Sequence, residues 1–275
     1  MNFAQLYKCP STRENIMEFT KTTKIILIVG SVLVATAAIA TPTTLILLNN
    51  NDNSITINLL TNAGVMIEAD GLRIYIDPID LSSSYNEFPA DAILITHEHG
   101  DHYQESTIDI ISTDETIIAM PDIVAAISTL DNVTAVAPED SFLVGSINIS
   151  CFYMYTFAPE GYTSSHPIEN NYVSYLVDID GFVIFHAGDS SNIPEYSQLQ
   201  SKVDVAMLPL GPGCQTMTGI DVVNALDMIK PAYFIPIHYT EIGKEDFIAV
   251  YYVSVGNTGC EFLDLAYYGT IEFNS

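Results

Sequence analysis

Residues 91 to 102 read DAILITHEHGDH, a nearly unbroken apolar run that ends in three histidines and an aspartate within six positions. An apolar run without alternation suits a strand buried on both faces, and such a strand needs structure packed on each side of its sheet. The chain has six histidines in 275 residues; chance would group three of them with an aspartate at these places on the order of 2 times in 10,000. His97 and His99 are two apart, so in an extended segment leaving a strand both imidazoles project from one face and can hold one ion. Asp101 and His102 follow in the turn and offer an oxygen and a nitrogen to a second site nearby. Glu98 falls on the opposite face, which suits a solvent-facing or supporting role better than a catalytic one.

Imidazole and carboxylate suit zinc, manganese or iron, and a site needs about four such groups. More ligands must therefore come from elsewhere in the chain. The other histidines are His166 in SSHP, His186 in FHAGDS and His238 in IPIHY, and Asp189 closes FHAGDS just after a glycine. The expectation is that all three histidines stand at strand ends, where they can converge on the first cluster.

The pattern around these motifs is β-rich with helices between strands. ITINLL (55–60), VMIEA (65–69) and LRIYID (72–77, after the turn Asp70-Gly71) read as short strands, as do TIIAM, INISCFYMYTF, YVSYLVDI, FVIFH, DVAMLPL and YFIPIH. PDIVAAISTL (121–130) reads as a helix with Pro121 in its first turn, and Thr218 with Asp221 reads as a capping box opening the helix IDVVNALDMI. The expected class is α/β, with sheets and helices in layers.

Formal charge is −26, and the first 24 residues carry four cations against two anions, which leaves −28 on the rest with only Arg73, Lys202, Lys230 and Lys244 as cations. That surface repels nucleic-acid phosphates, so nucleic acid is not an expected partner. Residues 25 to 48, IILIVGSVLVATAAIATPTTLILL, have no charge and follow Lys21 and Lys24; about 20 such residues span a bilayer as a helix. The flanking cations favour a short cytoplasmic segment (1–24), a transmembrane anchor (25–48), a polar linker NNNDNS (49–54) and an extracytoplasmic domain (55–275) at the cell membrane. The alternative is a signal peptide cleaved after AAIA, which would release a secreted domain. Cys9, Cys151, Cys214 and Cys260 show no CxxC spacing, so neither a thiolate zinc site nor a disulfide framework is indicated, and at most one bridge can form among the last three.

HEHGDH resembles the HxHxDH motif of the metallo-β-lactamase superfamily, and IEADGLRIYIDP resembles the strands and turn that open its domains. GFVIFHAGDS, VDVAMLPLG and KPAYFIPIHY resemble the branch of ascorbate-phosphate lactonase-like hydrolases and N-acyl-phosphatidylethanolamine phospholipase D-like enzymes. The resemblance covers roughly residues 55 to 275 and implies an αββα sandwich of two mixed sheets flanked by helices. It further implies that His97, His99 and His166 hold one divalent metal, that Asp101, His102 and His238 hold a second, and that Asp189 bridges them. Zinc, manganese or iron would serve, with a bridging hydroxide as nucleophile and Asp101 as the candidate base. His186 has no ligand role in that pattern and is expected to be supporting or structural; it and Tyr239 are weak candidates for a proton donor. The chain departs from many relatives at Asn62-Ala63-Gly64, where they have Gly-His, and at Ser190, where they more often have Thr. The expected activity is hydrolysis of a small ester, lactone or phosphoester outside the cytoplasm. The alternatives are a membrane-tethered phospholipid phosphodiesterase and a non-catalytic, metal-stabilised binding module. Against the phospholipid reading, no basic amphipathic helix is evident between Thr96 and Ile168. Oligomeric state is not legible.

Overall fold

The computed structural model describes residues 54–211 and 213–274. The anchor or signal helix expected at 25–48, the segment before it and nearly all of the linker lie outside the described residues. Within the described residues no helix is long and apolar enough to cross a membrane.

Two seven-stranded sheets form the core of the domain. The first runs β14 (Thr270–Asn274), β1 (Ser54–Leu59), β2 (Val65–Ala69), β3 (Leu72–Ile76), β4 (Ala92–Leu94), β5 (Ile117–Pro121), β6 (Val133–Val136). It is antiparallel as far as β3 and parallel from β3 onward. The second runs β13 (Glu261–Phe262), β12 (Tyr233–Ile237), β11 (Val205–Pro209), β10 (Phe182–His186), β9 (Val173–Ile179), β8 (Ile147–Tyr153), β7 (Ser141–Val144). Here β10 to β13 are parallel and β7 to β10 antiparallel.

The layering follows from the side-chain alternation of a strand. In β4, Ala92 and Leu94 enter the main core shared by the two sheets, whereas Ile93 joins a second cluster on the other face. Ile74 and Ile76 of β3 split from Tyr75 in the same way, and Ala119 of β5 from Ile118 and Met120. The second cluster is closed by Ile108 and Ile111 of α1 (Glu105–Ile111) and Val124 of α2 (Asp122–Ala125). On the second sheet, α3 (Gly219–Ile229) buries Val222, Ala225, Leu226 and Ile229, and α4 (Glu241–Asn257) buries Phe247 and Val255. The layered α/β sandwich is therefore present, built on strands buried from both sides.

Several boundaries differ from the sequence expectations. The helix expected over 121–130 spans only Asp122–Ala125, and Pro121 closes β5 instead of opening the helix. Glu105 accepts hydrogen bonds from the Thr129 backbone and from Ser128, which turns the chain away, and Ile127 is left exposed. The DAILIT strand keeps only Ala92–Leu94 in its ladder, and the strand expected over INISCFYMYTF ends at Tyr153. The capping box at α3 forms: the Thr218 side chain accepts from the Asp221 N–H, and the Asp221 carboxylate accepts from the Thr218 N–H at 3.0 Å. Cys151 and Cys260 are buried and free, so no bridge joins that pair.

Candidate metal centre

The seven residues singled out in the sequence come together at one edge of the sandwich. His97 to His102 follow β4, Asp189 follows β10, and His238 follows β12. His166 corrects an expectation: it lies in the irregular stretch between β8 and β9, not at a strand end. Its loop is held by its own backbone, since the Thr156 N–H donates to the His166 carbonyl at 2.9 Å and the His166 N–H donates to Thr156 Oγ1 at 3.1 Å. Gln215 adds a clamp, accepting from the Ser165 N–H at 2.8 Å and donating to the Thr163 carbonyl at 3.0 Å.

Two sets of potential ligand atoms share Asp189. His97, His99, His166 and Asp189 form one, and Asp101, His102 and His238 form the other. In the first set His166 Nε2 lies 3.2 Å from His99 Nδ1, and His97 Nε2 and His166 Nε2 are each 3.9 Å from Asp189 Oδ2. In the second set His238 Nε2 is 3.3 Å from Asp101 Oδ2. Asp189 reaches this set as well, with Oδ1 3.1 Å from His102 Nε2 and Oδ2 3.5 Å from His238 Nε2. Ligands about 2.0–2.1 Å from one tetrahedral ion sit about 3.3 Å apart, so these separations suit shared cations. A second observation agrees: His97 Nε2, His102 Nε2 and both Asp189 oxygens are buried with no hydrogen-bond partner. Buried polar groups are ordinarily paired, and four such orphans divided between the two sets around Asp189 are what bound cations would satisfy.

His97, His102, His166 and Asp189 are fully buried, whereas His99, Asp101 and His238 are partly exposed. The site thus has a closed floor and an open rim. Burial pushes the imidazole of His97 well down and that of His166 down to about 3, so both are neutral lone-pair donors at ordinary pH. Burial would also lower His102 and His238, but Asp189 opposes it in both, joined by Asp77 at His102 and Asp101 at His238, and both are held above the usual histidine value. For Asp189, burial is outweighed by His238 and His102, which keep the carboxyl well below its ordinary range. Asp101 is also lowered, its burial opposed by His238 and His102.

Asp77, in the IDP turn, is a site residue that the sequence reading did not single out. It is fully buried with φ of 47°. Its Oδ1 accepts from the Thr96 N–H at 2.8 Å, and its Oδ2 accepts from Thr96 Oγ1 at 2.7 Å and from His102 Nδ1 at 2.8 Å. Because Thr96 spends its hydroxyl proton on Asp77, it can only accept from His97 Nδ1–H, 2.9 Å away. One carboxylate therefore sets both His97 and His102 to carry their proton on Nδ1, leaving Nε2 free for a cation. Asp77 also lies near enough to His97 and His102 to form a third acidic grouping, but its oxygens are committed to these donors, so we read it as support. An aspartate held at the end of a strand beside the histidine strand was the available signal.

The remaining polar neighbours have structural tasks. His186 Nε2–H donates to the Ala63 carbonyl at 2.8 Å and its Nδ1 accepts from the Gly188 N–H at 3.2 Å, which pins the first hairpin to β10. Tyr239 donates to the Leu265 carbonyl at 2.9 Å and stacks on Tyr267, so its hydroxyl is directed away from the proton-donor task considered above. Asn62, at the position where the sequence departs from Gly-His, donates to the Asp101 carbonyl at 2.9 Å and accepts from the His238 N–H at 3.0 Å. Gly188 has φ of 55°, and a Cβ there would stand 2.7 Å from Met154 Sδ and 3.1 Å from Thr96. Only glycine lets β10 turn and deliver Asp189 this close to the Asp77–Thr96 support.

Comparison with known proteins agrees with this geometry. The family model of the beta-lactamase superfamily domain matches residues 56–238. A UPF0173 metal-dependent hydrolase of Thermococcus kodakarensis is 30% identical over 194 residues, covering 66% of this chain and 84% of the relative. A UPF0173 metal-dependent hydrolase of Carboxydothermus hydrogenoformans is 28% identical over 195 residues, with 66% and 84% covered. Among solved structures, a putative metal-dependent hydrolase from Parabacteroides distasonis superposes with a TM-score of 0.64 at 28% identity, covering 76% of this chain and 91% of the other.

Proposed function

The chain belongs to the metallo-β-lactamase superfamily and is a metal-dependent hydrolase, and from that premise we propose that it uses a dinuclear centre to cleave a small ester, lactone or phosphoester. The observation that carries the proposal is the convergence of seven His and Asp side chains in two sets that share Asp189, in which His97 Nε2, His102 Nε2 and both Asp189 oxygens are buried without a hydrogen-bond partner. Zinc is the first candidate, and manganese or iron also accept such ligands.

His97, His99 and His166 would hold one cation, Asp101, His102 and His238 the other, and Asp189 would contact both. Such cations supply an acidified water near neutral pH and an electrophile for the oxygen under attack. The chain's own part is to fix the lone pairs beforehand. Asp77 and Thr96 orient His97 and His102 on the closed floor, so no reorganisation is needed when substrate arrives. Asp101 stands on the open rim beside His238, ionised at neutral pH, where it can take up the proton of the attacking water. Asn62 holds the Asp101 backbone and so limits how far that carboxylate can swing.

Substrate charge is inferred from the surface. Of the four cations after residue 24, Arg73 pairs with Glu68, Lys230 with Asp227 and Lys244 with Asp264. A small neutral or weakly charged substrate suits this acidic domain better than an anionic lipid surface. For location we carry the reading that residues 25–48 anchor the domain outside the cytoplasm, which rests on their uncharged length and the preceding lysines.

The test is to load the purified chain separately with zinc and manganese and compare hydrolysis of a generic lactone with that of a generic phosphodiester. Turnover of either that disappears together with bound metal in Asp189→Ala supports the dinuclear hydrolase. Lactone turnover alone selects the small-molecule reading, and phosphodiester turnover with liposome binding selects the phospholipid one. Two bound metals with turnover unaffected in Asp189→Ala would refute the role given to that carboxylate.

A further inference from the structure

Glu98 sits between His97 and His99 and points to the opposite side of the segment, and the structure gives it an unexpected partner. Tyr172, the residue just before β9, is buried and donates its hydroxyl to Glu98 Oε1 at 2.5 Å. Asn170 Nδ2 donates to the same hydroxyl oxygen at 2.7 Å, so the phenol is fixed by both of its hydrogen-bonding roles. The other Glu98 oxygen is buried without a hydrogen-bond partner among the described residues. A carboxylate oxygen in that setting costs free energy, which contacts elsewhere in the arrangement must offset.

The ring of Tyr172 shows what that is. It meets the imidazole of His97 at 5.8 Å between centroids with an interplanar angle of 64°, and that of His166 at 5.8 Å and 75°. These are edge-to-face contacts, which resist ring rotation as well as displacement. His97 and His166 are themselves edge-on at 4.6 Å and 89°. Three rings thus brace one another, and the Val173 N–H adds a backbone tie to the Thr96 carbonyl at 3.3 Å. Asp77 and Thr96 hold His97 from the side of the second ligand set, but neither reaches His166. Tyr172 touches both from outside the ligand set.

We propose that Tyr172 and Glu98 are positioning residues for the first ligand set: the phenol braces His97 and His166 against each other, and its bond to Glu98 locks the His97–His99 segment to the start of β9. Thr156 and Gln215 fix the backbone of the loop that carries His166, but not the rotation of its imidazole, which is set by side-chain contacts. The brace makes His97, His99 and His166 one preformed unit. This inference rests on the metal-ligand reading of those histidines.

Tyr172→Phe separates the roles, because it keeps the ring and removes the tie to Glu98. The measurement is zinc stoichiometry and affinity of the full chain by chelator competition, together with the visible d–d absorption of the cobalt-substituted protein and the melting temperature of the metal-free protein. Loss of an outer partner of a metal ligand typically weakens affinity about 10- to 100-fold, and we expect about tenfold for one of the two zinc ions with a changed cobalt band. Glu98→Gln in the otherwise wild-type chain retains an oxygen to accept the phenol proton and should keep the wild-type band and much of the affinity. Wild-type zinc affinity and an unchanged cobalt band in Tyr172→Phe would overturn the inference. So would loss in both variants that tracks only a fall in metal-free melting temperature. Should Tyr172→Phe fail to fold, Glu98→Ala removes the same tie and is read against the same outcomes. A wild-type chain that binds no metal would sink the underlying functional reading instead.

Discussion

Replacing Asp77 with asparagine changes one atom and should reverse two histidines. Asp77 Oδ2 accepts protons from Thr96 Oγ1 and His102 Nδ1, at 2.7 and 2.8 Å. In Asp77→Asn the retained Oδ1 still accepts from the Thr96 N–H, while the new amide at the Oδ2 position has only protons to offer. His102 Nδ1 must then accept, which moves its proton to Nε2, the atom facing Asp189. Thr96 Oγ1, now an acceptor toward the amide, turns its own proton to His97 Nδ1 and drives His97 to the same tautomer. Both ligand nitrogens would be blocked in the dominant form. Disturbing one such outer partner typically costs about 10- to 100-fold in metal affinity, so two histidines give about 10² to 10⁴, or about 3 to 5 kcal/mol. The assay is zinc affinity by chelator competition, with imidazole tautomers read from long-range ¹H–¹⁵N correlations of the metal-free protein at a pH above the raised His102 value, where both rings are neutral. The expected spectrum shows His97 and His102 protonated on Nε2. Affinity within about threefold of wild type, well under the typical range for an outer partner, with both rings still protonated on Nδ1, would refute the relay from Asp77 through Thr96.

Further expectations rest on neighbouring features. Gly188→Ala places a Cβ 2.7 Å from Met154 Sδ at φ of 55°; it should cost at least about 1 kcal/mol from the left-handed backbone alone, with a lower melting temperature and weaker metal binding. An unchanged melting temperature would refute the strain assigned to that position. Metal binding should release protons, because His102 and His238 of the metal-free protein are held above the usual value near 6.5 and must lose their protons to become ligands. His97 and His166, already neutral there, release none. Release per chain, measured calorimetrically in buffers of different ionisation enthalpy, should therefore fall as pH rises from 6.5 through the raised values, while apparent affinity climbs and then levels. Release that is independent of pH across that window would contradict the assignment.

The chain announces its metal chemistry locally and completes it only in three dimensions. HEHGDH, FHAGDS and IPIHY place their ligands at or just beyond strand ends, and strand ends are legible because buried apolar runs stop there. The apolar faces of β3, β4 and β5 likewise foretell a layered sandwich, and Thr218 with Asp221 foretells α3. The helix misread over 121–130 shows the limit: its spacing was helical, but Glu105, some two dozen residues earlier, captures Thr129 and ends it. His166 could be suspected from its chemistry, yet its place in the site depends on Thr156 and Gln215, distant contacts that no local period encodes. Asp77, Thr96 and Tyr172 were hidden for the same reason, and of the two roles open to Glu98 only the fold selects the supporting one. An aspartate in a turn or a tyrosine before a strand has many uses, and only packing decides which proton donor it meets. For residues 25–48 the sequence is the whole argument, since an uncharged run of that length speaks through composition alone. Which side chains are candidates to hold metal was therefore legible from residue type, spacing and the resemblance those motifs carry. How those atoms are oriented, and which nitrogen of each histidine is left free, was decided by tertiary contacts across both sheets, because tautomer and ring rotation are set by a partner that only the fold brings within about 3 Å.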